Sequence, residues 1–302
     1  MTASRDFEQT VRMAVRFSDL DVAGHVNNVA WMRFVQVGVS QVLAARRAGA
    51  SGRPGHAWDH RERGWLWADV RYHRAVREAG TPITVRAWAV DHRDGVLVAC
   101  EVGAGTPDGR LVGCVTAQVR VGPPGPAGLP ARATARLGPG PAPPAGQWPW
   151  SLVVPVRPTD QAHGGSLAPL GAADLLQEAR HDAVSSWRHG IDGRLVVART
   201  VLELTQASLG TRIRLDSRCS RIGRASFDLA SRAVELASGA VVVSSTTRVA
   251  RIRSDSDQSA APWSAAERAL LSEVQRGVGP GSPGPVAPIG HAPSGGCGQM
   301  DI

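Results

Sequence analysis

Arg16-Phe17-Ser18-Asp19-Leu20-Asp21-Val22-Ala23-Gly24-His25-Val26-Asn27-Asn28 lies between a strand-like run, residues 11–17, and a helix-like run from Val29 to Arg47. This stretch decides the fold because the chain holds a weaker copy of it. Arg16 and Arg157, Asp19 and Asp160, and Gly24 and Gly165 are each 141 positions apart. Farther on, Gly80 and Gly210, and Gly109 and Gly239, are each 130 apart. A register held within each block and shifted once between them is what duplication of a module predicts. The shift of 11 residues is a shorter helix-to-strand connection in the second copy.

Working outward, the first copy reads as strand, long helix, then strands at Trp65–Tyr72, Ile83–Asp91, Val96–Val102 and Leu111–Val121. The pairs Asp94-Gly95 and Asp108-Gly109 are hairpin signals. Apolar residues cover much more than one stripe of the helix (Trp31, Met32, Phe34, Val35, Val39, Val42, Leu43), so it is expected to be buried. The second copy reads Leu152–Arg157 as strand and Pro169 to Trp187 as helix. Its later strands are Val196–Leu204, Thr211–Cys219, Ala225–Leu236 and Ala240–Ile252. One helix wrapped by one antiparallel sheet is the economical architecture for this order, an α+β class.

The expected division is therefore a first domain at 1–121, a Pro/Gly-rich linker at 122–149 and a second domain at 150–254. A short helical extension at 255–276 follows, with Ser264 and Glu267 spaced as a capping box. Residues 277–302 are rich in Gly, Pro and Ser and are expected to be disordered.

Composition excludes several classes. No apolar run of the 302 residues approaches the ~20 needed to span a membrane. No apolar signal-type stretch follows Met1–Asp6, so a soluble, cytoplasmic protein without a membrane partner is expected. The formal charge of +8 comes without a single lysine; the 34 basic residues are arginines spread along the chain. They form no basic run with aromatic neighbours, so no nucleic-acid partner is expected, although a positive field favours anionic substrates. Cys100, Cys114, Cys219 and Cys297 have neither metal-ligand nor redox spacing and read as reduced thiols; no metal or organic cofactor is expected.

The loop carries chemistry-bearing residues. Asp21 is a carboxylate that can take a proton from water or attack a carbonyl itself, and the sequence leaves both open. The structural alternative is an aspartate that caps a turn. His25 either assists the acid or holds the loop. Gly24 permits a positive φ or close approach of a ligand, and Asn27 and Asn28 suit a helix start, whose unpaired amides suit an oxyanion. Asp19 holds the turn with Arg16.

Phe17-Ser18-Asp19-Leu20-Asp21-Val22-Ala23-Gly24-His25-Val26-Asn27-Asn28, followed by an aromatic-bearing helix, resembles the hotdog-fold thioesterases, both the 4-hydroxybenzoyl-CoA thioesterase-like group and the acyl-ACP thioesterases. The resemblance implies two tandem hotdog domains, each a sheet wrapped around a central helix, joined as a pseudo-dimer. It implies hydrolysis of acyl-CoA or acyl-ACP thioesters, as in fatty acid metabolism, and pseudo-dimers that can associate further as homo-oligomers. In that family Asp21 stands at the acidic catalytic position, His25 at a histidine that assists it, and Asn28 at a loop-ordering position. The chain departs from the pattern at Ala23, where acyl-ACP enzymes carry asparagine, and at Gln36 and Val37, where many members have a helical glutamate. Tyr72 is expected near the substrate channel.

In the second copy Asp21 is replaced by Ala162, His25 by Ser166, and Asn27 and Asn28 by Ala168 and Pro169, although His163 is nearby. Its helix carries Glu178 and Arg180, which the first lacks. One shared site is expected, with Asp21 and His25 from the first half and Glu178 or Arg180 approaching from the second. The bland reading of Glu178 and Arg180 is a structural ion pair. The rival functions are an enoyl-thioester hydratase or dehydratase of the same fold, and a non-catalytic acyl-CoA-binding sensor. The hydratase motif needs an Asn-Pro that Val22-Ala23-Gly24 does not supply.

Overall fold

The computed structural model describes residues 9–21, 24–50, 64–92, 95–106, 110–122, 148–162, 165–205, 207–254 and 259–277. Most of the expected linker, the tail from 278, the Asp108-Gly109 turn and His163 lie outside the described residues. The first half consists of β1 (Gln9–Ala14), α1 (Asn28–Ala50), β2 (Trp65–Tyr72), β3 (Pro82–His92), β4 (Gly95–Gly105) and β5 (Leu111–Val121). The second half consists of β6 (Trp150–Pro155), α2 (Pro169–Ser185), β7 (Arg194–Leu204), β8 (Arg212–Ile222), β9 (Ser226–Glu235) and β10 (Val241–Ile252). A last helix, α3 (Ala265–Gln275), follows.

The repeat read from the sequence holds element by element. The offset of 141 carries β1 onto β6, and the 3₁₀ turn Phe17–Asp19 onto the turn Pro158–Asp160. It also carries the start of α1 onto that of α2, and the offset of 130 carries β3 onto β8. Two expected boundaries are corrected. The first strand ends at Ala14 instead of residue 17, because Asp19 folds back to accept from the Arg16 amide at 2.8 Å and tightens the chain into the 3₁₀ turn. The strand expected to reach Arg157 stops at Pro155 for the same reason, with Asp160 accepting from the Arg157 amide at 2.8 Å.

All ten strands form one sheet in the order β1-β3-β4-β5-β2-β7-β10-β9-β8-β6, antiparallel throughout. The order reads the same from both edges once equivalent strands are exchanged. Its centre is the seam between β2 and β7, where Val70 pairs with Thr200 and Arg71 with Arg199. Val70 and Thr200 are themselves equivalents under the offset of 130, so a pseudo-two-fold axis passes through that pair. On the outer face of the seam Arg199 grips Asp69 with two hydrogen bonds, 2.7 and 2.6 Å, and Asp69 is buried. The bidentate fork fixes the geometry as well as the sign of the contact.

Alternation along β2 and β7 sends Ala68 and Val70, Leu202 and Leu204 to the other face, into one apolar core shared by both halves. α1 and α2 lie side by side on that face, α1 against β1, β3, β4 and β5, α2 against β6, β8 and β9. A second cluster around Trp187, Phe227, Trp263 and Leu271 seats α3 beside β8. Ser264 caps α3 by accepting from the Glu267 amide, and Glu267 returns a bond from the Ser264 amide, as the spacing predicts. No helix among the described residues is long and apolar enough to cross a membrane.

Candidate active site

The Asp21 loop is a tight reversal. The Asp21 amide donates to the His25 carbonyl at 2.8 Å, the Gly24 amide to the Asp21 carbonyl at 2.9 Å, and Leu20 bridges Val26. Gly24 has φ +73°, a conformation that costs an L side chain roughly 1–2 kcal/mol. The reversal is tied on one side to the turn, through Asn27 N–H to Asp19 O at 2.8 Å. On the other it is tied to the segment after β2, through Val26 N–H to Val76 O at 2.8 Å. Asn27 is the helix cap: its Oδ1 accepts from the Ala30 amide at 2.7 Å, and Asn28 is the first residue of α1.

Asp21 sits at the surface of this reversal. It is exposed, and its Oδ1 accepts from the His25 amide at 3.0 Å. The fold alone does not desolvate the carboxylate. His25 is half-buried with its Nε2 enclosed. The amides of Gly24, His25, Val26, Asn27 and Ala30 are all engaged. Among the described residues those of Asn28 and Val29 are left as the open donors at the start of α1, where the helix dipole also points. Of the expected oxyanion positions, Gly24 forms the bend with its own amide engaged, and the open amides lie in the first turn of α1.

The second half provides an internal control. Ala162 N–H donates to Ser166 O at 2.8 Å, Gly165 N–H to Ala162 O at 3.1 Å and Ala168 N–H to Asp160 O at 2.8 Å, with Gly165 at φ +78°. The backbone is the same, yet Asp21 and His25 are replaced by Ala162 and Ser166. Neither side chain is needed to fold this reversal. The turn bond that Asp21 accepts from the His25 amide has no counterpart at Ala162.

Asp19 has the structural role the sequence assigns it. It is buried and receives the Arg16 amide, and also Arg33 of α1 at 2.6 Å, a partner that sequence reading missed. In the second half the polarity is exchanged: Arg157 contacts Asp160, Asp174 and Glu178 at 3.0, 3.0 and 3.2 Å. Arg33 and Asp174 are equivalent positions. Glu178 is thus committed to a half-exposed ion-pair cluster around Arg157, on the side of α2 away from Arg180, since two residues advance a helix by ~200°.

Arg180 behaves differently. It lies near enough to Tyr72 of the first half, which packs on the helix-covered face of β2, for the two to influence each other's ionisation. Burial pushes the Tyr72 phenol up to about 12, partly opposed by Arg180 and Thr200, so it is a neutral donor at physiological pH. Burial lowers the Arg180 guanidinium from its ordinary value, with Tyr72 opposing. Both residues keep some exposed surface. No carboxylate pairs with Arg180 among the described residues. The signal that finds it is the repeat itself: its counterpart is Val39, buried in the core.

No group of His, Cys, Asp and Glu among the described residues is arranged to hold a metal ion. Cys100, Cys114 and Cys219 are buried free thiols, and burial pushes Cys100 and Cys219 up to about 12.

Comparison with known proteins meets this geometry at the loop. Residues 3–46, spanning the Asp21 reversal and most of α1, match the family model of the acyl-ACP thioesterase C-terminal domain. The structure superposes on the 12:0-ACP thioesterase from Umbellularia californica with a TM-score of 0.55 at 12% identity, over 80% of this chain and 94% of that one. The fold is a double hotdog. A second double hotdog, assigned as an oleoyl thioesterase, from Lactobacillus plantarum, matches with a TM-score of 0.50 at 9% identity, over 80% of this chain and 95% of that one. No curated protein matches the sequence at a significant level. The matched family domain is C-terminal, whereas the double hotdog here carries that match in its first half.

Proposed function

We propose that this double hotdog hydrolyses acyl thioesters, of coenzyme A or acyl carrier protein, at a single site built on the Asp21 loop. The reading rests on one observation above all. The two loops share the same backbone reversal, with Asp21 N–H to His25 O matched by Ala162 N–H to Ser166 O and Gly24 N–H to Asp21 O by Gly165 N–H to Ala162 O, and only one carries an acid. A carboxylate retained where the fold does not require it is retained for chemistry.

In this reading the thioester carbonyl oxygen meets the amides of Asn28 and Val29 at the start of α1. Asp21 takes a proton from water as the water oxygen bonds to the carbonyl carbon. The tetrahedral oxyanion collapses, the carbon–sulfur bond breaks, and the thiolate leaves with the proton that Asp21 held. His25 keeps the carboxylate aimed through its amide. An exposed carboxylate has water at hand, which favours general-base action over direct attack. Solvent labelled with ¹⁸O in a single turnover distinguishes the two: label in the acid product supports the base, label in Asp21 the nucleophile.

Thiol release from a panel of acyl-CoAs and acyl carrier proteins, with wild type beside Asp21→Asn, tests the proposal. Release by wild type that falls ~10²–10⁴-fold in the variant is expected, the usual range for general acid–base groups. Saturable binding without release by wild type makes the chain a sensor instead. Hydration of an enoyl thioester makes it a hydratase.

A further inference from the structure

We infer that a cleft at the β8–β9 hairpin, on the outer face of the sheet, is a second binding site and takes a phosphate monoester, whether or not the Asp21 site hydrolyses thioesters. Arg221, Gly223, Arg224, Ser226, Asp228 and Arg248 line a cleft of about 230 Å³. Pockets that enclose a whole drug-sized ligand run to ~300–1,000 Å³, so this one suits a single charged group of a ligand. One pair in its lining is already made: buried Asp228 receives Arg248 through two hydrogen bonds, 2.7 and 2.9 Å. That fork leaves three of the five Arg248 N–H groups for another acceptor. Arg221 and Arg224 are exposed, and neither has a carboxylate partner among the described residues. A further guanidinium, that of Arg268 on α3, donates to the Gly223 carbonyl of the same hairpin at 3.4 Å.

Strand register puts the cleft at the end of a row. Arg71 pairs with Arg199, Arg199 with Arg248, Arg248 with Asp228 and Asp228 with Arg221. Paired residues share a face, so the row lies on the outer face with the Arg199–Asp69 contact. It begins one residue before the end of β2, from which the chain continues to Val76, whose carbonyl holds the Val26 amide of the Asp21 loop. Four strand spacings of ~4.8 Å put the cleft roughly 19 Å from there, so one extended ligand or two separate ones can fill both places. The fold does not call for this chemistry. In the β3–β4 hairpin, the counterpart of β8–β9, the outward row nearest the turn runs Val90, Leu97, Arg120, with Val90 52% exposed. Where the first half has two aliphatic residues, the second has Arg221 and Asp228.

Charge and geometry identify the class. Three guanidiniums against one carboxylate leave the lining with two positive charges. A phosphate monoester carries about −1.5 to −2 at neutral pH and presents three strong acceptor oxygens. It can therefore take donors from Arg221, Arg224 and Arg248 together, and guanidinium forks match its oxygens. A carboxylate supplies half the charge and is served by one fork. Two sources carry such a group: the 3′-phosphate end of coenzyme A, and a separate phosphorylated small molecule.

Calorimetric titration of the full chain tests the site with matched probes: adenosine 3′-phosphate beside adenosine, coenzyme A beside dephospho-coenzyme A, and inorganic phosphate. Wild type is compared with the double variant Arg221→Gln, Arg224→Gln, whose two side chains are exposed. Arg12→Gln serves as the control for bulk charge, since Arg12 is exposed on β1, at the opposite edge of the sheet. Wild type is expected to bind adenosine 3′-phosphate at least ~10-fold more tightly than adenosine, the scale of a charge-assisted contact. The double variant is expected to lose that preference, and Arg12→Gln to keep it. Equal binding of monoester and alcohol by wild type, or equal losses in Arg12→Gln and the double variant, overturns the inference. Coenzyme A that exceeds dephospho-coenzyme A only in the presence of Arg221 and Arg224 makes the carrier end of the substrate the occupant. Arginine-dependent binding of adenosine 3′-phosphate or inorganic phosphate, with coenzyme A indifferent to the variant, upholds the site for a separate ligand. Binding is the readout, so absence of thiol release sinks the hydrolase reading and leaves this result standing.

Discussion

Asp21→Ala separates a chemical role from a structural one, because the chain already contains the product of that substitution at Ala162. Asp21 Oδ1 accepts a hydrogen bond from the His25 amide, at 3.0 Å and exposed. Intramolecular hydrogen bonds contribute ~0.5–1.5 kcal/mol net, and an exposed one whose donor regains water belongs at the low end. For domains of 150–250 residues each kcal/mol moves the melting midpoint by roughly 2–4 °C, so Asp21→Ala is expected to shift it by no more than about that. The Gly24 reversal stays intact because its backbone bonds do not involve the side chain. Thiol release on the best acyl-CoA, by contrast, is expected to fall ~10²–10⁴-fold. Differential scanning fluorimetry and a thiol-release assay on the same preparations make the comparison. A drop of 10 °C or more would return Asp21 to scaffolding. Activity within a few-fold of wild type, with folding preserved, would refute the assignment of the acid.

Further outcomes follow from the same geometry. Arg199→Met removes the bidentate partner of buried Asp69 and leaves it the exposed Arg71 at 3.4 Å, so it is expected to cost up to about 3–5 kcal/mol in urea denaturation, whereas Asp69→Val with Arg199→Met recovers most of it. Glu178→Ala, which loosens only the half-exposed Arg157 cluster, is expected to leave kcat/KM unchanged and to lower stability by less than ~1 kcal/mol. Burial tends to raise the Glu267 carboxyl, but Ser264, Arg251 and the Asp192 amide outweigh it and hold it below 4.5. A depressed folded-state value stabilises above the unfolded one and fades as pH falls through the folded one. The docking of α3 should therefore weaken below about pH 4.5, and hydrogen exchange in α3 should show less of that acid sensitivity in Glu267→Gln. With Cys297 changed to serine, native protein at pH 8 is expected to react negligibly with a thiol-specific chromogen and to release three equivalents on unfolding, from Cys100, Cys114 and Cys219.

Much of the fold was legible because it is written in short windows. Turn residues, alternation and helical spacing place nearly every element, and Ser264 with Glu267 announces α3. The duplication was legible from five residue pairs, and it proved the most useful reading of all, since it makes each half a control for the other. The loop's geometry was legible at Gly24 and Asn27, and its candidate acid and imidazole at Asp21 and His25, because the four lie within seven consecutive residues. Arg33 was not, because nothing local shows that a helical arginine will close over Asp19. Nor was the pairing of Glu178 with Arg157, which tertiary structure sets while Arg180, two positions on, points to another side of the helix.

By itself the sequence determined that two copies of one module exist, what elements each contains and which copy kept an acid; these follow from hydrogen bonding and periodicity among near neighbours. Only tertiary structure decided that β2 and β7 meet, with Val70 opposite Thr200, and that the meeting carries Arg199 to Asp69. A strand edge chooses its partner by the summed free energy of a whole interface. The surroundings of a charge are set by residues distant in the chain, and no local window contains them.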